Sequence, residues 1–155
     1  MEDVAGQLEA AKRALKVADH MLMVTYPLLK EMRLLLSITE NLYKAMDAAL
    51  QALVGKEREY RRIPYSGEGF EARLAVFRMH VMKKHGFMSE GADTLQWLHE
   101  TLEERRRSPV EFERKGKFVM CSESYRMRTL SVDDLKKHMA VGKRFLAKVE
   151  AVMVS

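Results

Sequence analysis

Apolar side chains recur along the first fifty residues at a helical period. Val4, Leu8, Ala11, Leu15, Ala18 and Leu22 are spaced alternately by four and three residues, one stripe on a helix from 4 to about 24. Thr25-Tyr26-Pro27 then interrupts the pattern. Proline disfavours the helical conformation in the residue before it and suits the first turn of a new helix. A second helix is therefore expected to start at Pro27 and run to about Val54, with Leu28, Met32, Leu35, Ile38, Leu42, Ala45, Ala49 and Leu53 on its buried stripe. At 1.5 Å per residue it would be roughly 40 Å long. The two helices should fold back on each other as an antiparallel hairpin.

Gly55-Lys56 is expected to close the second helix, and Pro64, Gly67 and Gly69 mark a loop. Gly67-Glu68-Gly69 follows no strand and leads to no Gly-Lys-Ser/Thr, so it is not read as a phosphate loop. A third helix is expected over about 69–85, stopping near Gly86. A fourth, over about 90–106, carries Leu95, Trp97, Leu98 and Leu102 and ends before Ser108-Pro109. The pattern then changes period. K-F-V-M-C and Y-R-M-R-T-L read as two short strands around S-E-S, a β-hairpin over about 115–130. Ser131 and Asp134 have capping-box spacing and open a last helix that buries Leu135, Met139, Phe145, Leu146, Val149 and Val152. The expectation is one all-α domain over 1–155: a five-helix up-down bundle with a small β-hairpin before the last helix.

Composition narrows the classes. Hydrophobic residues make 47% of the chain and charged residues 32%, which excludes a disordered chain. No run of 18 apolar residues occurs, so no membrane span is expected. Met1-Glu2-Asp3-Val4 is acidic where a secretory signal would be basic, and Cys121 is the lone cysteine. Both point to the cytoplasm, and no disulfide or multi-cysteine zinc site is expected. The net charge of +5 is uneven: residues 1–50 hold 6 basic and 7 acidic side chains, and residues 51–155 hold 21 and 15. The excess lies in the C-terminal two-thirds and suits an anionic partner such as RNA.

The sharpest chemical pattern is R-M-H-V-M-K-K-H, Arg78 to His85. On a regular helix, seven residues advance the azimuth to within about 20° of a full turn and rise roughly 10 Å. An arginine and an imidazole so placed can meet one phosphate between them. Metal-independent RNA cleavage needs a base near neutrality for the 2′-hydroxyl and a cation for the developing charge, roles that suit His85 and Arg78. Arg73 and His80 have the same spacing on the outer face and form a reserve pair.

The long hairpin Leu15–Val54, with A-D-H-M-L near the end of its first helix, and the Arg-x6-His spacing resemble the HEPN superfamily. That resemblance implies a small helical bundle, often dimeric, either a ribonuclease or a binding domain. A polar residue usually follows the motif arginine in that family, whereas Met79 follows Arg78 and Leu74 follows Arg73. The segment S-P-V-E-F-E-R-K-G-K-F-V-M is also similar to small archaeal proteins.

A second candidate is the basic run Arg105, Arg106, Arg107, Arg114, Lys115, Lys117, Arg126 and Arg128, which three acids interrupt. Arg126 and Arg128 share a strand face by alternation, with Tyr125 and Phe118 near for base stacking. His99 and Glu103 lack further ligands at zinc spacing, and no metal or cofactor is expected. Two functions follow as expectations. One is an RNA-binding HEPN-like domain with the chemistry of a metal-independent ribonuclease. The other is a non-enzymatic homodimeric interaction bundle.

Overall fold

In the computed structural model, which describes residues 4–60, 63, 67–108 and 110–154, the first helix runs straight through its proline. Helix α1 spans residues 4–29: regular over Val4–His20, a wide π-turn over Met21–Thr25, regular again over Tyr26–Leu29. In that turn the Tyr26 N–H donates to the carbonyl of Met21, five residues back. A proline inside a helix removes one N–H and presses its ring on the carbonyl four residues earlier. The widened turn accommodates both defects. The chain reverses only at Lys30–Met32, where Lys30 takes a left-handed φ of 51°.

Helix α2 is Arg33–Glu59, so the reversal expected at Pro27 falls a turn later. Gly55, expected at the end of the helix, lies inside it. Leu28, expected on the buried stripe, sits on the last turn of α1 and is 78% exposed. The two helices are antiparallel: Asn41 of α2 meets Met21 of α1, and Gly55 approaches Val4.

Helix α3 spans residues 70–85 and also contains a π-turn, Phe77–Val81, across which the Met82 N–H donates to the Phe77 carbonyl. Gly86 ends it at φ 71°, and the Phe87 N–H returns to the Met82 carbonyl, as in a Schellman cap. Helix α4 is Glu90–Arg107 and helix α5 is Val132–Val154. The capping box forms as expected: Asp134 N–H donates to Ser131 Oγ and Ser131 N–H to the Asp134 carboxylate, both at 3.2 Å. Pro64, Pro109 and Met1-Glu2-Asp3 lie outside the described residues.

The β-hairpin is a three-stranded antiparallel sheet. Strands β2 (Lys117–Cys121) and β3 (Met127–Leu130) are the expected pair, and β1 (Val110–Arg114) adds to the free edge of β2. Phe118, Met120 and Leu130 face the helices and join the common core, which draws on all five helices among the described residues. The fold is therefore mostly helical, with five helices and this sheet inserted before α5. Among the described residues no helix is long and apolar enough to cross a membrane.

Candidate functional site

The two residues of the Arg-x6-His pattern are held by different helices. Arg78 donates to Asp93 at 3.1 Å and to Gln96 at 3.0 Å, both on α4. His85 bonds Glu57 of α2 at 2.7 Å, and Lys84 bonds the same carboxylate at 3.1 Å. Arg78 and His85 share no hydrogen bond or ion pair. The π-turn between them supplies the cause. Its extra residue turns everything after Val81 back by about 100°, so His85 lies roughly 120° from Arg78 instead of about 20°.

The reserve pair is separated too. Arg73 makes a double hydrogen bond to Asp47 of α2 at 3.0–3.3 Å, and Gln51 also donates to that carboxylate. His80 lies within the π-turn and is exposed, with no contact to Arg73. Glu57 is buried; burial pushes its carboxyl up, but the bonds from His85 and Lys84 outweigh that and hold it below the usual 4.5. These contacts tie α3 to α2 and α4.

His99 has an equally occupied ring. Its Nδ1 lies 3.4 Å from the Tyr43 hydroxyl, its Nε2 3.5 Å from Glu71, and its face stacks on Phe70 at 4.3 Å. Burial, with Asp47 nearby, pushes the Tyr43 phenol up, which keeps it a hydrogen-bond donor. Among the described residues no group of three or more His, Cys, Asp or Glu side chains is placed to hold a metal.

The basic run divides into two sets. Arg105 pairs with Glu40 and Glu111, and Arg106 and Arg107 both pair with Glu103. Arg128 bonds Thr101 and the Trp97 carbonyl, lies over the Trp97 ring at 6.0 Å and pairs with Glu100 at 3.7 Å. Arg105 and Arg128 thus tie α4 to α2 and the sheet, while Arg106 and Arg107 are neutralised on the surface of α4 itself. Arg114, Lys115, Lys117 and Arg126 are exposed, with no acid partner among the described residues.

The register explains this division. Glu111 and Glu113 stand opposite Met120 and Phe118, on the face turned to the helices. Val110, Phe112 and Arg114 stand opposite Cys121, Val119 and Lys117, on the face turned outward. Thr129 and Met127 complete that outer face from β3. Both acids at strand positions thus share the face of Met120 and Phe118, where they remain exposed, and the opposite face carries cations and apolar groups. Phe118, expected as a stacking ring, is buried inward; Phe112, 37% exposed, takes its place outward.

The turns reinforce the pattern. Lys115 and Gly116 both have positive φ, 51° and 74°, the conformation of a tight two-residue hairpin turn. Asn or Gly is the usual first residue there, and a left-handed lysine costs on the order of 1 kcal/mol. Tyr125 is left-handed as well, φ 59°, in a turn fixed by Ser122, whose Oγ accepts from Arg126 N–H and whose carbonyl accepts from Tyr125 N–H. That ring is 88% exposed.

Sequence reasoning missed β1, although V-E-F-E-R alternates with a period of two. It also missed the anchoring acids, Asp47 and Glu57, whose signal is a carboxylate inside an otherwise apolar helical stripe. Comparisons with family models, with curated proteins and with solved structures found no match for this chain.

Proposed function

We propose that the protein binds RNA through the outer face of its three-stranded sheet. The observation that carries this reading is the sorting of charge in the sheet: Arg114 and Lys117 share the face of Phe112, the turn residues Lys115 and Arg126 are exposed like them with no acid partner among the described residues, and Glu111 and Glu113 stand on the opposite face. A sheet that needed these cations only for solubility would gain nothing by excluding acids from one face. Phosphate contacts release counterions, so affinity for a single strand should fall with salt at a slope of about −0.7 per neutralised phosphate. Four cations imply a slope near −3, or roughly fifty-fold between 50 and 200 mM salt. Binding of a labelled RNA oligonucleotide across that range tests the reading, and affinity indifferent to salt removes it.

A HEPN-like, up-down arrangement of the helices in a cytoplasmic protein is part of the same proposal, supported by the antiparallel α1 and α2 and an unpaired Cys121. Cleavage by Arg78 and His85 would require both to leave their present carboxylates and converge, so the reading is one of binding without cleavage at that pair. Incubating the same RNA with EDTA present checks this, since cleavage lost in His85→Ala would restore the catalytic reading.

One observation favours the interaction-protein reading alongside it. Val17, Met23, Val24, Leu28 and Leu29 are exposed along the second half of α1, apolar area of the kind that pairs with another surface. Replacing Leu28 and Leu29 by Glu should leave the mass in solution unchanged for a monomer and halve it for a dimer built on that face.

A further inference from the structure

We infer that the strand bound on the outer sheet face is single, with its bases laid on Phe112 and Tyr125. This inference rests on the RNA-binding reading and adds the substrate class. The outer face is graded along the strands. Arg114 and Lys117 form one end, Phe112, Val119 and Thr129 the middle, and Val110, Cys121 and Met127 the far end, beyond which stand Tyr125 and Arg126. From the first row to the last is four residues, about 13 Å. Sheets of this width stack two or three unpaired bases.

The chemistry favours exposed base faces over a duplex. Phe112 is 37% exposed, Met127 59% and Val110 50%, so the middle and far end of the platform are apolar. A duplex hides its base faces inside its stack and offers only phosphates and sugar edges, which these side chains cannot use. A single strand offers both: flat π-surfaces for Phe112, Met127 and Tyr125, and phosphates that reach the cations at either end. Val119 is 3% exposed, so the middle row presents Phe112 and Thr129 to a ligand. Phe112 also borders a cleft of about 360 Å³ shared with the Lys30–Arg33 turn; Glu31, Glu111 and Glu113 line it beside Lys30 and Arg33, so it repels phosphate and leaves the ring as the ligand's contact there. The Tyr125 turn contains Glu123, an acid that keeps phosphate toward Arg126 and leaves the ring for a base.

Tyr125 is held out, not merely left out. Its left-handed backbone is fixed by the Ser122 bonds, so the turn carries the ring outward without first having to order its backbone on binding.

The test uses the full chain and two fluorescein-labelled probes, an eight-nucleotide oligouridine and a twelve-base-pair RNA duplex, read by anisotropy. Oligouridine should bind at least ten-fold tighter than duplex. Phe112→Ala and Tyr125→Ala should each weaken it by roughly ten- to a hundred-fold with the salt slope unchanged. Tyr125→Phe should bind like wild type, and Lys115→Ala should lower the slope by about 0.7. Tyr125 is almost wholly exposed, so its variants report on binding, not folding. Equal binding of both probes with silent Phe112 and Tyr125 variants overturns the single-strand inference and leaves RNA binding standing. Binding of neither probe overturns both, and capture of polyglutamate or anionic vesicles instead would assign the surface to another class of partner.

Discussion

Gly91 and Gly55 both lie in helices, yet adding a methyl group should have opposite effects at the two. At Gly91, in the first turn of α4, a Cβ would sit 2.5 Å from Phe145 Cδ1 and 3.2–3.3 Å from two more ring atoms, against 3.4–4 Å for ordinary contact. The ring must retreat by about 1 Å, which disturbs its own packing. Phe145 is 4% exposed and packs edge-on to Phe77 at 5.8 Å and beside Phe87 at 5.9 Å. Overpacking of this kind costs about 1–3 kcal/mol. Replacing glycine by alanine in a helix returns about 0.5–1 kcal/mol, less in a first turn. Gly91→Ala should therefore destabilise by about 1–2 kcal/mol. At Gly55 the new Cβ meets only Val4 Cγ2, at 3.5 Å. Gly55→Ala keeps the helical gain and should stabilise by about 0.5–1 kcal/mol. In a chain of this length 1 kcal/mol moves Tm by about 2–4 °C, so the variants should separate by roughly 3–12 °C in parallel circular-dichroism melts. Urea unfolding with a constant m-value would check that only the folded state changed. A Gly91→Ala protein as stable as Gly55→Ala would refute the packing of α4 on α5 through Phe145.

Other tests follow from the polar contacts. Glu57→Gln removes the charge that holds Lys84 and His85; it should destabilise by about 1–2 kcal/mol, discounted because Lys84 is 40% exposed. Because the folded Glu57 carboxyl sits below 4.5, its contribution is full above that pH and fades as pH falls through and below it, so the variant's acid-denaturation curve should be flatter there. Burial holds the His138 imidazole below 6.5, with Asp134 opposing and Lys137 assisting, while the ring stacks on Trp97 at 4.0 Å and bonds Thr94 at 2.9 Å. The unfolded chain then takes up a proton that the folded chain refuses, so the urea midpoint should fall between pH 6.5 and 5, and less in His138→Phe. Ser131→Ala breaks the reciprocal cap of α5 and should cost about 1 kcal/mol in the same unfolding assay.

Periodicity made the helices legible but not the defects within them. The stripes of α2, α4 and α5 read correctly because burial follows the 3.6-residue period, and the cap at Ser131 is local chemistry within four residues. The π-turns left no comparable trace. Pro27 read as a break because proline usually is one, and F-R-M-H-V has nothing in its composition that asks for an extra residue. That single unseen residue separates the spacing of Arg78 and His85 from their positions in space. The pairing of Arg73 with Asp47 depends on how α3 crosses α2, which no sequence spacing reports. The cations of the sheet were visible as a dense run. Dividing them into paired and free sets needed the register, since Arg128 stands in the ladder opposite Met120 whereas Arg126 lies in the turn before it.

The π-turns also define where the molecule should open first. A five-residue turn breaks the regular ladder at the centre of α3, between seven residues anchored by Arg73 and Asp47 and four anchored by Glu57. Phe77 N–H still bonds the Arg73 carbonyl in the regular run, so the break falls on the amides after it, as far as Met82, whose N–H reaches five residues back to Phe77. In native-state hydrogen exchange they should trade protons ahead of amides in the middle of α2. The short end of α3, with Lys84, His85 and the Gly86 cap, would then unlatch from α2 as one cooperative piece while the rest of the helix stays docked.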